Sequence, residues 1–69
     1  RVTYIDPTDA SVLYNVACLH AVAGEGERAI DLLEQAVQAG FGHREWLDND
    51  SDFDSLRRNP RFEALLRKL

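Results

Sequence analysis

Two helical patterns of apolar residues fill the segment from Val12 to Val37, and glycine separates them. In the first pattern, apolar or small side chains recur at steps of three and four residues, which is the spacing of one face of an α-helix. That face consists of Leu13, Val16, Ala17, His20 and Gly24. Other apolar residues occupy most of the remaining positions, and a helix that is apolar nearly all round packs on more than one side. The pattern predicts a first helix over about residues 9–23.

The second pattern predicts another helix over about residues 25–39. Gly24 and Gly26 break the apolar run of the first helix, and glycine readily adopts the left-handed turn that ends a helix. We therefore expect two antiparallel helices joined by a short turn. Small side chains allow the two axes to approach closely where the helices cross, and here they are Ala17, Ala29 and Ala36. The side chains expected to face water on the second helix are Asp31, Glu34, Gln35 and Gln38.

A short third helix is predicted after the hairpin. Phe41 lies between two glycines, and we expect its ring to pack against the two helices. Residues 43–49 are typical of a helix of less than two turns, with Trp46 and Leu47 turned inward.

Two polar clusters mark the remaining elements. Asp50-Ser51-Asp52 is typical of a cap for one further turn over residues 53–58. Asn59 and Pro60 predict the start of a last helix, because Asn caps helices well and Pro is favoured at the first helical position. The apolar face of that helix consists of Phe62, Leu65, Leu66 and Leu69.

The order of residues in the hairpin resembles the tetratricopeptide (TPR) repeat, a family of two-helix units. The first helix contains Leu13-x-x-Val16-Ala17-x-x-His20, and the second contains Ala29-x-x-x-Leu33-x-x-Ala36. The family places a large apolar residue, Leu, Gly and Tyr at the first four of these positions, and Ala, Phe and Ala at the others. The resemblance implies a TPR-like hairpin over residues 9–40 and the remnant of a preceding repeat over residues 1–8.

Residues 46–66 resemble the closing segment of TPR arrays at the C-terminal end of bacterial multidomain signalling proteins. Such proteins carry class III nucleotide cyclase, TolB-like or Ser/Thr kinase domains. The resemblance implies a truncated repeat and a capping helix over residues 41–69, because an end repeat must cover the open face of the stack with a half-polar element. We therefore expect an all-α fold in one domain: a TPR-like antiparallel helical hairpin, a shortened second unit and a C-terminal capping helix.

Composition narrows the class of protein. The 69 residues suffice for one small domain, and the net charge of −4 argues against a nucleic-acid partner, which favours a basic surface. Cys18 is the single cysteine, so the chain forms no internal disulfide. The sequence shows no signal peptide and no apolar run that could span a bilayer. We expect a cytoplasmic location, no membrane partner and, because the chain starts at Arg1, a piece of a longer protein.

The first helix carries the residues that we expect to bind a partner. In the TPR family this helix lines the concave surface, and the matching positions here are Ser11, Tyr14, Asn15, Cys18 and Val22. Asn15 matches a position that can hydrogen-bond the backbone of a bound peptide. The family's lysine and arginine clamp for a terminal carboxylate is missing, so that kind of ligand is not expected. The alternative is that Tyr14 and Cys18 pack against a neighbouring repeat or subunit.

Charged residues of the C-terminal half are candidates for metal or anion sites. Acidic residues alternate at Asp48, Asp50, Asp52 and Asp54. A calcium loop needs Gly in its sixth place and Glu in its twelfth, and neither register, from Asp48 or from Asp50, supplies them. His43 with Glu45 and Asp48 offers a single strong transition-metal ligand, so we expect no metal and no cofactor. The basic residues are Arg57, Arg58, Arg61, Arg67 and Lys68. We favour their pairing with residues 48–54 over a phosphate or acidic-peptide site.

No set of residues predicts catalysis. Cys18 and His20 are two positions apart, so on a helix they point in different directions. We therefore expect a non-enzymatic module that binds a protein or peptide. The alternative is a regulatory or dimerising tail of a signalling enzyme such as a nucleotide cyclase or a Ser/Thr kinase. A further hypothesis is that the isolated chain self-associates through Val12, Leu19 and Tyr14.

Overall fold

A computed structural model describes residues 9–69, and every regular element within them is helical, which confirms the predicted all-α fold. The elements in chain order are α1 (Ala10–Val22), α2 (Gly26–Gln38), α3 (Arg44–Asn49), a 3₁₀ helix (Ser51–Leu56) and α4 (Pro60–Arg67). The predicted lead-in over residues 1–8 lies outside the described residues. Within residues 9–69, none of the helices has the length and apolar character needed to cross a membrane.

Local signals define the hairpin of α1 and α2. The Asp9 side chain caps α1 by accepting a hydrogen bond of 2.8 Å from the backbone amide of Ser11. Gly24 ends the helix with φ = +83°, a conformation that other residues resist. Gly26, which lies at the start of the predicted second helix, is the first residue of α2. A Cβ atom there would lie 2.7 Å from a methyl group of Leu56, so the missing side chain makes room for the 3₁₀ helix.

The helices α1 and α2 pack side by side along one hydrophobic core. Ala17, Ala29 and Ala36 are fully buried in it, as expected for small residues between two close helices. Large side chains from every later part of the chain complete the core, and they are Phe41, Leu47, Phe53, Leu56, Phe62 and Leu65. The hairpin is therefore stabilised by the C-terminal half as well as by its own contacts. The TPR-like arrangement of the helices stays a prediction.

The segment after the hairpin folds back over α1. Phe41 is 6% exposed, which confirms that its ring packs on the helices, and Leu47 is fully buried. Trp46 was expected to point inward and is instead 46% exposed. A helix of six residues buries few side chains, and the buried side chain of α3 is Leu47. The Trp46 ring stacks on His43, with ring centroids 4.6 Å apart.

Two predicted caps start the last two elements. Asp50 accepts a hydrogen bond of 3.0 Å from the amide of Asp52, and Asn59 accepts one of 2.9 Å from the amide of Arg61. Each bond satisfies a backbone donor in the first turn of its helix. Pro60 occupies the first position of α4, as predicted. These caps direct Phe53 and Phe62 into the core, where their ring centroids lie 6.0 Å apart.

The C-terminal basic residues pair differently from the expectation. Arg61 binds α2 rather than residues 48–54: its guanidinium lies 2.7 Å from Glu27, 2.7 Å from Asp31 and 3.0 Å from Glu34. Asp31 and Glu34, which were expected to face water, are partly exposed and also bind this guanidinium. The hydrogen bond with Asp31, followed by those with Glu27 and Glu34, raises the pKa of Arg61. This cluster joins the start of α4 to the polar side of α2.

Arg57 follows the expected pairing more closely. Its side chain lies 3.4 Å from the carboxylate of Asp54. Its guanidinium also donates hydrogen bonds of 2.6 and 2.9 Å to the backbone carbonyls of Leu47 and Asp50. Arg57 therefore holds the junction between α3 and the 3₁₀ helix in place.

Candidate functional site

Three of the five predicted partner-binding residues lie on one exposed side of α1. Ser11, Asn15 and Val22 are separated by multiples of about one helical turn and therefore share a face. Leu19 lies on the same face and is 71% exposed, while Val22 is 68% exposed. We refer to Ser11, Asn15, Leu19 and Val22 as the open face of α1. Val12 and Val16, which are half-buried, border it on the side of Leu19.

The open face has no formal charge. No Asp, Glu, Lys or Arg occurs between Ala10 and Gly24, in a chain in which 29% of residues are charged. Leu19 and Val22 therefore stand in water without a charged neighbour on their own helix. Exposed apolar side chains that lie together in this way mark surfaces at which proteins make contacts.

Tyr14 does not belong to this exposed surface. Its side chain is 7% exposed, and its hydroxyl donates a hydrogen bond of 2.6 Å to Oδ2 of Asp50. Its ring stacks on Phe41 with centroids 5.0 Å apart and meets the ring of Phe53 edge-on at 5.7 Å. The expectation that Tyr14 faces an open groove is thus corrected: the next segment of the same chain covers it. Sequence reasoning missed Asp50 as its partner because the two residues are 36 positions apart.

Cys18 lies half-buried beside the same carboxylate. Its thiol is 3.7 Å from Oδ2 of Asp50. Burial, and after it the negative charge of Asp50, raises the pKa of Cys18 to about 11. The hydrogen bond from Tyr14, followed by that from the amide of Asp52, lowers the pKa of Asp50. At neutral pH the site therefore holds a protonated thiol, a neutral phenol and an ionised carboxylate, which we call the Asp50 cluster.

The neighbourhood of the Asp50 cluster also satisfies the distance requirement for a metal site. One ligand atom each from Cys18, Asp50 and Asp52 lies within 4.8 Å of the other two. Both oxygens of Asp50 already accept hydrogen bonds, Oδ1 from an amide and Oδ2 from a phenol and a thiol. A thiol that keeps its proton is a poor metal ligand, because the thiolate is the binding form. The hydrogen bonds of Asp50 are therefore those of a helix cap whose carboxylate is also bonded to two residues of α1.

One shallow depression lies between α2 and α4. Glu34, Val37, Gln38, Leu65 and Lys68 line a volume of about 210 Å³. This is below the range of about 300–1,000 Å³ that is usual for small-molecule sites. Its acidic residue Glu34 already pairs with Arg61. The open face of α1 is therefore the stronger candidate for a binding surface.

We expect Cys18 to react slowly with thiol reagents in the folded protein. Because thiolate is the reactive form and the pKa of Cys18 is raised to about 11, its alkylation at pH 8 should be roughly tenfold slower than in urea-unfolded chain, or slower still. Mass spectrometry of iodoacetamide-treated samples measures both rates. Equal rates in the folded and unfolded states would contradict the hydrogen-bonded cluster.

Comparison with known proteins gives a partial similarity. The chain is 32% identical over 63 residues to a protein of Arabidopsis thaliana whose name describes it as chloroplastic. The similarity covers 90% of this chain and 19% of that protein, so the chain spans about a fifth of the length of this curated relative. No family model and no solved structure matches the chain. The similarity therefore concerns one segment of that longer relative.

Proposed function

We propose that this chain is a non-enzymatic module that binds a protein or peptide through the open face of α1, as a TPR-like helical unit of a larger protein. The observation that carries the proposal is the exposure of Leu19 and Val22, at 71% and 68%, on a helix without charged residues. Burying both side chains under a partner would stabilise a complex by about 2–4 kcal/mol before the costs of association.

The way α1 is held supports a binding role. The helix packs on α2 along one side. On another side Tyr14 and Cys18 contact the Asp50 carboxylate, and Tyr14 also stacks on the ring of Phe41. Both contacts fix the helix while leaving the open face free. A surface that is already rigid loses little conformational freedom when a partner binds, which favours affinity.

The chemistry of the described residues supports a role without catalysis. Cys18 keeps its proton at neutral pH, and the Asp50 carboxylate is occupied by three hydrogen-bond donors. An enzyme active site of ordinary design brings a nucleophile, a base and a substrate cavity together. The depression at Glu34 lies on α2 and α4, away from the Asp50 cluster.

The identity of the larger protein is a separate question. A regulatory or dimerising tail of a signalling enzyme is the alternative interpretation of the sequence, and it would use the same exposed residues of α1. The predicted cytoplasmic location also stays a prediction, since the relative's name places that protein in the chloroplast. The further domains of the parent protein decide between these alternatives.

Selection from a random-peptide display library tests the proposal. We expect the selected peptides to compete with one another for one surface. Their affinity should fall at least about tenfold when Leu19 and Val22 are both replaced by serine, because most of the apolar contact is lost. Fluorescence anisotropy of labelled peptides measures the dissociation constants.

A matched control separates the open face from the rest of the surface. Gln35→Ser and Gln38→Ser change two exposed residues on α2, and together they should leave binding unchanged. Circular dichroism of both double variants should match that of the unmodified chain, since all four side chains are exposed. Selected peptides that tolerate the α1 substitutions but not the α2 substitutions would disprove the proposed surface.

A further inference from the structure

Carboxylates border the open face of α1 along one edge. On the helix, Cys18 neighbours Asn15 and Val22, which lie three residues before it and four after it. The carboxylates of Asp50 and Asp52 approach the Cys18 sulfur to within 4.8 Å. Two acidic groups from the 3₁₀ segment therefore stand beside the apolar end of the open face, although they are more than 25 residues away in the sequence.

Arg57 lies near the Asp50 carboxylate, but its guanidinium bonds the backbone carbonyls of Leu47 and Asp50 instead of either of the two carboxylates. Among residues 9–69, neither Asp50 nor Asp52 forms a salt bridge with a basic side chain. Asp52 is exposed to solvent. The C-terminal end of α1 adds its own partial negative charge, because its last carbonyls point toward Gly24. The surface beside Leu19 and Val22 is therefore apolar in the middle and negative at its edge.

We propose that the partner of the open face is an amphipathic helix whose apolar residues cover Leu19 and Val22 and whose adjacent lysine or arginine reaches Asp52. This inference rests on the proposed function and names the chemistry of its ligand. A basic side chain fits because its positive charge is attracted by the negative charge of Asp52 and by the partial negative charge at the C-terminal end of α1. The long stem of lysine or arginine also lets the partner bury carbon atoms against Val22 while its charge reaches the edge.

Other occupants fit the edge less well. An acidic helix meets like charge at Asp52, which disfavours binding. A second copy that docks with its own open face brings no cation, because residues 10–24 contain neither lysine nor arginine. Each copy also carries a net charge of −4, so the pair is repelled at low ionic strength.

Two designed helical peptides of equal length and identical leucine face test the proposal, one with lysine and one with glutamate at the flanking positions. We expect the lysine peptide to bind the full chain at about 50 mM salt and the glutamate peptide to bind at least about tenfold more weakly. The variant Asp52→Asn should weaken binding of the lysine peptide about threefold, and the variant Leu19→Ser with Val22→Ser at least about tenfold. The preference should shrink in about 0.5 M salt, which screens exposed charges.

Glu63→Gln is the matched control, because it removes one exposed acidic charge on α4, away from α1. Its effect on the lysine peptide should be smaller than that of Asp52→Asn. Equal effects of the two substitutions, or equal affinity for both peptides, would overturn the basic-partner inference while the proposed function stands. Binding of neither peptide, or binding that ignores the serine substitutions, would overturn both. Sedimentation that shows a dimer broken by the same serine substitutions would assign the open face to a second copy instead.

Discussion

Replacement of Phe53 by alanine should leave most of the chain unfolded at 25 °C. The ring is fully buried and contacts Tyr14 and Phe62 from the centre of the core. Truncation of such a ring costs about 3–5 kcal/mol, through lost burial and the cavity that remains. A chain of this size has a total stability of about 5 kcal/mol or less, so one substitution can exhaust it.

Urea denaturation followed by circular dichroism and by Trp46 fluorescence measures this loss. Phe53→Leu is the control, since it keeps most of the volume and should remain folded with a lower midpoint. Trp46→Ala, followed by circular dichroism alone, is a second control, because that ring is nearly half exposed and should contribute less. A Phe53→Ala variant whose urea midpoint stays close to that of the unmodified chain would show that the 3₁₀ helix is not part of the cooperative core.

Replacement of Asp50 by alanine should cost about 2.5–4 kcal/mol. Its carboxylate caps the 3₁₀ helix through the amide of Asp52 and accepts the buried hydroxyl of Tyr14 at 2.6 Å. Loss of a helix cap costs about 1 kcal/mol, and a hydrogen bond to a charged group contributes about 1.5–3 kcal/mol. Asp50→Asn keeps one of the two acceptor oxygens and should lose less.

A double-mutant cycle tests whether Tyr14 is the partner through which Asp50 stabilises the fold. Tyr14→Phe should destabilise the unmodified chain by about 1.5 kcal/mol, because it leaves the carboxylate without its strongest donor. The same substitution should have little further effect in the Asp50→Ala background, since the interaction is already gone. Additive effects of the two substitutions would mean that Tyr14 and Asp50 act independently.

The pH dependence of stability offers a separate check on the Asp50 charge. The pKa of Asp50 is lowered from 3.8 in the folded state, chiefly by the Tyr14 hydroxyl. A carboxyl with a lowered folded pKa stabilises the fold fully above its unfolded pKa, and this contribution is lost as the pH falls from 3.8 toward the lower value. The difference in stability between the unmodified chain and Asp50→Asn should therefore shrink below about pH 4. A difference that stays constant from about pH 6 to about pH 2 would contradict a charge-assisted bond.

Helix positions were predictable from the sequence because their signals are local. Asp9, Asn59 and Pro60 act within one turn of themselves, and the glycine at position 24 ends α1 by its own backbone conformation. The burial of Ala17, Ala29 and Ala36 was predictable from the helical spacing of these residues and the small size of the alanine side chain. The role of Gly26 could not be predicted in this way, because the atom that requires its small size belongs to Leu56.

The candidate site was predictable in part. The face that contains Ser11, Asn15 and Val22 was expected, and it is exposed. Tyr14 was assigned to the same surface, and the structure instead buries it against the segment that follows the hairpin. Tyrosine suits an exposed contact and a buried, hydrogen-bonded position equally well. The helical face of Tyr14 therefore did not determine whether its ring is exposed or buried.

The sequence by itself determined that this protein is helical, where its main helices begin and end, and which helix has more apolar surface than one neighbour can cover. Tertiary structure alone decided which part of that surface stays open. The choice depends on contacts between distant residues, such as Tyr14 with Asp50 and Arg61 with α2, and no local pattern records them. The same folding of residues 41–56 over α1 buried Tyr14, left Leu19 and Val22 in solvent, and brought Asp50 and Asp52 to their edge.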